Sequence, residues 1–160
     1  MQSLDALFAD YASYHQTKGN KAFHRIGIPL IMLSLLGMLA RVHLFTASSS
    51  LDFMRGGRAW GIDAAMLLIV VAEVVYLLLD WRAAALMLVV SVLLYAIGAA
   101  IPLSANIALF ILGWIFQFVG HSVYEHRQPA FLRNLVHLLV GPLWILNDFV
   151  PIRRTSANPS

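Results

Sequence analysis

Histidines are the residues of this sequence best suited to bind a metal, and five of the six lie in two short segments. His15 and His24 precede the first long apolar run, whereas His121, His126 and His137 follow the last long one. The sequence contains no cysteine. Clustered neutral imidazoles without thiolates suit a borderline metal, either zinc or non-haem iron. A metal centre is therefore predicted, provided that folding brings the two segments together.

Several familiar catalytic motifs are absent from the sequence. It contains no HExxH, GxSxG or GxGxxG pattern, which are typical of zinc peptidases, serine hydrolases and dinucleotide-binding enzymes. It also lacks the dense HxxHH boxes of membrane di-iron hydroxylases and desaturases. The histidines therefore predict a mononuclear site.

The composition predicts an integral membrane protein. Of the 160 residues, 60% are hydrophobic and 12% charged, with a mean hydropathy of +0.76, far from the values of soluble domains. No linker or repeat divides the chain, so residues 1–160 are predicted to form a single membrane domain. The net charge of +3 comes from scattered residues, which excludes nucleic acid as a partner. Residues 1–26 lack an apolar core and are not a cleavable signal.

Four apolar runs approach the roughly 20 residues that a helix needs to cross a membrane. They cover about 27–47, 61–79, 83–101 and 104–120. A fifth run, 135–146, has 12 residues, a length typical of re-entrant or interfacial segments. The predicted fold is all-α, with four transmembrane helices, a short amino-terminal helical segment within 1–26, and a carboxy-terminal re-entrant or interfacial helix. Residues 121–160 supply metal-site residues and a lid.

The distribution of basic residues predicts the orientation in the membrane. With four crossings and a cytoplasmic amino terminus, eight lysines and arginines lie inside and three outside. A fifth crossing would leave six lysines and arginines inside and five outside, a difference too small to indicate an orientation. Four crossings return the chain to its starting side, so both termini and five histidines meet at the cytoplasmic face. His43 is predicted to lie at the opposite face, in contact with solvent or headgroups.

Local spacing predicts how the histidines converge. His15 and His24 are nine residues apart, so a single helix would point them in opposite directions. Gly19 and Asn20 lie between them and are typical of a helix stop. We expect this break to fold His24 back toward His15.

The second segment offers an acidic group beside its first histidine. His121 and Glu125 are four residues apart and share a helix face, whereas His126 points away and is predicted to be solvated. Glu125 suits three roles: a metal ligand, an acceptor that fixes a histidine tautomer, or a general base. Gln128-Pro129 is expected to end the helix. Asn134 and His137 then share a face of the short final helix.

Two motifs resemble those of a known enzyme family. They are Y-x-x-Y-H-x-x-x-x-N-x-x-x-H-x-x-G-I-P-L at 11–30 and F-x-G-H-x-x-x-E-x-x-x-P-A at 118–130. Together they resemble the small membrane 2-hydroxy fatty acid dioxygenases of the fungal endoplasmic reticulum and their bacterial homologues. The resemblance implies Fe²⁺-dependent α-oxidation in the endoplasmic reticulum or a bacterial inner membrane, in which O₂ converts a 2-hydroxy fatty acid into the fatty acid one carbon shorter. It implies that His15, His24 and His121 bind metal, with Asn20 and Glu125 as close catalytic support.

This activity limits the number of protein ligands. A 2-hydroxy acid chelates a metal through two oxygens and O₂ needs a third position, so an octahedral ion leaves room for three histidines. His137 is therefore expected to be a contingent fourth ligand that substrate displaces. The acyl chain is expected to lie among lipid tails or between helices, and a basic side chain to pair with the carboxylate. Four such side chains lie near this face: Lys18, Lys21, Arg25 and Arg127.

Two other functions use the same residues. The first is a zinc-dependent lipid hydrolase, in which three histidines hold a metal with a bound water and Glu125 acts as the base. The second is a membrane scaffold or transporter whose histidines line a polar surface. The absence of paired broken helices argues against a transporter.

Overall fold

The computed structural model describes residues 3–47, 60–126, 128–129 and 135–152. Asn134 and six of the arginines used to predict the orientation lie outside these residues. Those arginines are Arg55, Arg58, Arg127, Arg133, Arg153 and Arg154.

The described chain is mostly helical. Its α-helices are α1 (Leu4–Ser13), α2 (Lys18–Leu39), α3 (Ala64–Leu79), α4 (Trp81–Ala100), α5 (Leu103–Val119) and α6 (Val136–Phe149). Two short antiparallel strands, β1 (His43–Ala47) and β2 (Trp60–Asp63), lie between α2 and α3 in sequence. A π-helical turn, Gly120–Glu125, extends α5. The hairpin end of the molecule contains β1 and β2; the histidine end contains α1, the first turns of α2, residues 120–126 and α6.

Three helical segments are long and apolar enough to cross a membrane. They are α2, α4, and α5 taken together with its π-helical turn. The predicted spans 83–101 and 104–120 match α4 and α5 to within two residues. In contrast, α3 has 16 residues and α6 has 14, both short of the roughly 20 that a perpendicular span needs. A total of four crossings therefore remains a prediction.

The predicted first span, 27–47, is wrong at both ends. Helix α2 begins nine residues earlier, at Lys18, and ends at Leu39. Residues 43–47 form β1 instead, because this β-branched and aromatic segment pairs with β2. The Arg41 guanidinium donates to the carbonyls of Gly37 and Ile101, thereby satisfying carbonyls at the ends of α2 and α4. The second predicted span likewise begins as strand, since α3 starts only at Ala64.

The predicted helix stop at Gly19-Asn20 is also wrong, although the chain does fold back. The break lies at 14–17, and Gly19 and Asn20 belong to the first turn of α2. Thr17 is the N-cap, and its hydroxyl accepts from the Asn20 backbone at 3.3 Å. Gly19 does not form a turn. It lets the Tyr124 ring pack closely against α2, because a Cβ at this position would lie 2.1 Å from Cδ1 of Tyr124.

Helices α2 and α5 cross closely just inside the histidine end. A Cβ at Gly27 would lie 2.9 Å from the carbonyl oxygen of Gly113 and 2.4 Å from Nε2 of Gln117. Small residues at such a crossing let two apolar helices approach backbone to backbone. The close crossing fixes the distance between His24 on α2 and His121 just beyond α5.

The helix that carries His121 ends earlier than expected. Its π-helical turn stops at Glu125, and His126 adopts a left-handed conformation with a φ of 53°. A single left-handed residue ends a helix by turning the chain away. The predicted stop at Gln128-Pro129 is thus about three residues too late. His126 is exposed, as predicted.

The buried apolar cluster joins the amino-terminal helix to the rest of the molecule. Ser3 caps α1 by accepting from the Ala6 backbone at 3.2 Å. The buried face of α1 packs with α6 and with the adjoining ends of α3 and α4. Its members are Leu4, Leu7, Phe8, Tyr11, Tyr76, Ala83, Ala84, Met87, Val140, Leu143, Trp144 and Ile145. This packing holds the loop after α1 against the start of α2.

Candidate metal centre

Three histidines from different segments converge at the histidine end. His15 lies in the loop after α1, His24 in α2, and His121 in the π-helical turn. One ligand nitrogen of each lies within 4.8 Å of one ligand nitrogen of the other two, and all three side chains are buried. Two nitrogens bound to a common ion at about 2.1 Å must lie within about 4 Å of each other, so the group needs little movement to bind one.

Backbone carbonyls fix the tautomers of two of these histidines. Nδ1 of His15 lies 2.7 Å from the Tyr11 carbonyl oxygen, and Nδ1 of His24 lies 3.0 Å from that of Asn20. A carbonyl only accepts, so both Nδ1 atoms carry the proton and donate it. Both Nε2 atoms are then left with lone pairs, as in metal-binding histidines.

The two bare nitrogens face each other. Nε2 of His15 and Nε2 of His24 are 3.0 Å apart. Two lone pairs at this distance repel unless a proton or a metal cation lies between them. Burial lowers the pKa of His15 to about 4, so a proton is disfavoured at neutral pH. The arrangement of these two nitrogens is therefore more favourable with a bound cation than without one.

His121 completes the group. Its ring centroid lies 4.9 Å from that of His15 and 4.8 Å from that of His24. Its Nδ1 is buried and has no hydrogen-bond partner among the described residues. Three buried imidazoles without thiolates match the ligand preferences of Fe²⁺ and Zn²⁺.

Glu125 holds the loop that carries His15. Its carboxylate accepts from the backbone N–H groups of Gln16 at 2.9 Å and Thr17 at 3.2 Å. It also accepts from the Thr17 hydroxyl at 2.9 Å and the Asn20 side-chain amide at 3.1 Å. Four donors stabilise the ionised carboxylate and make it a poor proton acceptor. These contacts attach Glu125 to the loop and to Asn20; its roles as metal ligand, tautomer-fixing acceptor or general base stay predictions.

Asn20 links this network to the metal ligands. It is fully buried, its side-chain amide donates to Glu125, and its backbone carbonyl accepts from Nδ1 of His24. Its Oδ1 is buried without a partner in the described part of the chain. Asn20 therefore orients His24 through the backbone and the loop through its side chain.

His137 lies beside the three histidines but outside their group. Its Nε2 lies 2.9 Å from Oδ2 of Asp10, which draws that nitrogen toward α1. Its Nδ1 is buried without a partner among the residues described. Its ring lies beside those of Tyr11 and Tyr14, with 5.7 Å between the ring centroids in each pair.

A cavity of about 80 Å³ adjoins the histidines. Its polar lining residues are the three clustered histidines, His137, Tyr11 and Gln117. The apolar lining residues are Ile28, Ile31, Met32, Trp114, Leu138 and Pro142. A wall that combines a few polar groups with apolar side chains suits a molecule with a polar head and a hydrocarbon tail.

None of the described basic side chains expected to bind a carboxylate lines this cavity. Arg25 pairs with Asp148 at 2.8 Å, joining α2 to α6. The Lys21 ammonium lies 5.8 Å from the ring centroid of Trp144, and Lys18 is exposed. Arg127 lies outside the described residues.

Sequence reasoning missed two side chains in the cavity wall. The ring of Tyr11 stacks on His15, with 4.0 Å between the ring centroids. Gln117 is buried and lies four residues before His121. Both follow a simple spacing rule, because each lies one helical turn before a metal-site histidine.

The chain is similar to a known protein family and to a yeast enzyme. The family described as "2-hydroxy-palmitic acid dioxygenase Mpo1-like" matches residues 1–151. The chain is 32% identical over 141 residues to the 2-hydroxy-palmitic acid dioxygenase MPO1 of Saccharomyces cerevisiae, covering 88% of this chain and 75% of that protein. No solved structure matches the chain. The extent of the family match and the identity to the yeast protein place this chain in the Mpo1-like family.

Proposed function

We propose that this protein is an Fe²⁺-dependent dioxygenase that shortens 2-hydroxy fatty acids by one carbon at the membrane surface. The observation that carries the proposal is the pair of bare Nε2 atoms of His15 and His24, 3.0 Å apart and close to His121. The yeast relative supports the substrate class, since it is a 2-hydroxy-palmitic acid dioxygenase.

His15, His24 and His121 would hold the iron. When bound, Fe²⁺ would transfer an electron to O₂, because the direct reaction of O₂ with a fatty acid is spin-forbidden. The protein contributes the tautomers, because the Tyr11 and Asn20 carbonyls keep the protons on Nδ1. Glu125 and Asn20 keep the His15 loop against α2, and we assign them positioning roles.

The cavity supports a substrate with a long apolar tail. Ile28, Ile31 and Met32 lie on successive turns of α2, leading away from His24 into the apolar part of the molecule. Each methylene removed from water there contributes about 0.8 kcal/mol.

We infer that the whole chain, residues 1–160, acts as one membrane domain with four crossings and a cytoplasmic histidine end. The shared cluster of α1, α3, α4 and α6 supports one domain. His137 is proposed to stay with Asp10 and to bind metal at most transiently.

The activity is tested by purifying the protein without oxygen and measuring its metal content. Adding 2-hydroxypalmitic acid and O₂ is expected to yield pentadecanoic acid with matching O₂ consumption. A chelator should abolish the reaction, and Fe²⁺, but not Zn²⁺, should restore it. Formation of pentadecanoic acid without O₂ consumption, or with zinc alone, would contradict the proposal. Zinc-dependent hydrolysis of a lipid ester in the absence of oxygen would favour the hydrolase instead.

The orientation is tested by single cysteines, since the native chain has none. Ser3→Cys, His43→Cys and Phe149→Cys place a thiol at exposed positions near the amino terminus, in β1 and at the end of α6. With four crossings, a membrane-impermeant maleimide added from the outer side should label only His43→Cys. Labelling of Phe149→Cys from that side would show that α6 crosses the membrane.

A further inference from the structure

Gln117 is a buried polar residue that the metal site does not use. Its side chain is 5% exposed, and Nε2 has no hydrogen-bond partner in the described part of the chain. A buried donor left unpaired costs about 1–3 kcal/mol, so such groups are rare in folded proteins and ask for a cause. Gln117 also lines the cavity beside the histidines.

The position of Gln117 relates it directly to the metal ligands. It lies four residues before His121, or about 6 Å along the helix, and so faces the same side one turn deeper. On the facing helix, Gly27 lies three residues after His24. A Cβ at Gly27 would lie 2.4 Å from Nε2 of Gln117, so the glycine makes room for the amide.

Two polar groups of the cavity wall are acceptors. Nε2 of His15 and Nε2 of His24 have lone pairs because their Nδ1 atoms donate to carbonyls. Nε2 of His137 lies 2.9 Å from the Asp10 carboxylate and is engaged there. Gln117 therefore adds N–H donors to a wall in which His15 and His24 present acceptors.

We propose that the side-chain amide of Gln117 donates a hydrogen bond to the carboxylate of the 2-hydroxy acid and so sets its head group beside the three histidines. This inference rests on the proposed function. A neutral donor fits the site because an unpaired buried cation costs far more than an unpaired amide while the cavity holds no substrate. Recognition by a neutral amide also agrees with the cavity wall, in which no lysine or arginine of the described residues takes part.

The test compares Gln117→Leu with the unaltered protein, both loaded with Fe²⁺ and kept without oxygen, using 2-hydroxypalmitic acid as the probe. Metal content should be equal, and the melting temperature without probe should be unchanged or higher, because leucine removes an unpaired donor at similar volume. Affinity for the probe should fall about 10- to 100-fold, the loss expected for a hydrogen bond to a charged group. The rise in melting temperature on adding probe should shrink accordingly.

A second variant reverses the polarity of the contact. Gln117→Glu keeps the shape but sets a carboxylate against the carboxylate of the probe, so it should bind 2-hydroxypalmitic acid more weakly than Gln117→Leu does. It should bind 2-hydroxypalmitamide, whose amide can donate, better than it binds the acid. The unaltered protein should show the opposite order.

Asn106→Leu is the matched control, because Asn106 is a buried amide on the same helix at the hairpin end. Its Nδ2 donates to the Gly98 carbonyl at 2.9 Å, so it is a structural group. Asn106→Leu should lower the melting temperature and leave probe affinity unchanged.

Two results would overturn the role of Gln117. One is wild-type affinity for the probe in Gln117→Leu; the other is a lower melting temperature with loss of metal, which would mark a structural residue. Failure of the proposed function is seen separately in the unaltered protein. Probe binding without O₂ consumption would reject the dioxygenase alone, whereas no probe binding at all would reject both.

Discussion

Both ends of the helical bundle bury polar side chains, but they treat them differently. At the hairpin end, buried Asp63 accepts from the Met66 backbone at 2.9 Å and from the Tyr95 hydroxyl at 2.7 Å, and exposed Arg41 donates to two carbonyls. Both of these charged groups meet partners of the opposite hydrogen-bonding type. At the histidine end, the acceptor nitrogens of His15 and His24 face each other at 3.0 Å.

The difference separates polar groups that build the fold from those that bind a ligand. A matched pair contributes to stability and needs nothing else. Converging acceptors are unfavourable until a cation joins them, so the fold must hold them in place. Glu125 does this with four hydrogen bonds to the loop and to Asn20. Most of the variants predicted at the histidine end therefore have a matching variant at the hairpin end.

Removing a proposed metal ligand should have the largest effect. His15→Ala, His24→Ala and His121→Ala, made singly, should each lose metal and lower activity at least about 100-fold, more than the loss typical of residues that only support ligands. Metal quantitation and O₂ consumption measure this. His43→Ala is the control, because His43 is exposed in β1, and it should keep both. Normal metal content in all three site variants would remove the basis of the metal centre.

Neutralising Glu125 should have the next largest effect. In Glu125→Gln an amide nitrogen must face donors such as the Thr17 N–H, so the loop loosens and metal affinity should fall about 10- to 100-fold. A competition assay with a metal-binding dye measures the affinity. Asp63→Asn changes the matching carboxylate at the hairpin end; it should lower the melting temperature but leave metal affinity unchanged. Equal metal affinities in both variants would deny Glu125 its positioning role.

The sequence predicted the meeting of the histidines better than the elements that bring them together. Apolar run lengths located α4 and α5 because both helices are apolar over most of their length. The first run was misplaced at both ends because helix α2 begins among polar residues, where Thr17 caps it. Hydropathy detects burial in lipid, but a cap depends on one side chain and one backbone N–H. The end of α2 likewise depends on the pairing of β1 with β2, and β2 is distant in sequence.

The finer features of the site depend on tertiary packing. The tautomers of His15 and His24 follow from local carbonyls four residues earlier, a contact that helical spacing alone suggests but does not fix. The attachment of His137 to Asp10 joins residues 127 positions apart, so no local pattern contains it. Residue spacing could assemble the candidate ligands, but the distinction between the three grouped histidines and His137 came from the family resemblance and from the number of coordination positions that the substrate and O₂ need.

Changing His137 should have a small effect on metal binding. Because its Nε2 bonds to Asp10, His137→Gln should keep full metal content and lose less than about 5-fold in activity, in contrast to the grouped histidines. Asp10→Asn frees the same nitrogen and tests whether it then joins the metal group. Tighter metal binding in Asp10→Asn than in the unaltered protein would support that exchange. Loss of metal in His137→Gln would instead make His137 a permanent ligand.

The smallest effects are expected for a pair of tyrosine hydroxyls, one serving each end. The Tyr76 hydroxyl donates to the Leu139 carbonyl at 3.0 Å and ties α3 to α6, whereas the Tyr95 hydroxyl donates to Asp63. Tyr76→Phe and Tyr95→Phe should each lower the free energy of unfolding by about 1 kcal/mol, since each loses one hydrogen bond and little packing. Reversible unfolding in detergent measures this loss.

The two tyrosine variants should differ in their effect on substrate binding. Helix α6 forms one wall of the cavity through Leu138 and Pro142, so its loosening in Tyr76→Phe should raise the KM for 2-hydroxypalmitic acid by about two- to threefold. The kcat should change less, because the three grouped histidines do not contact Tyr76. Tyr95→Phe should leave both constants unchanged, since Asp63 and β2 are at the other end. An equal rise in KM for both variants would mean that loosening the hairpin end also disturbs the cavity. The two ends would then differ in their hydrogen bonding but would not move independently.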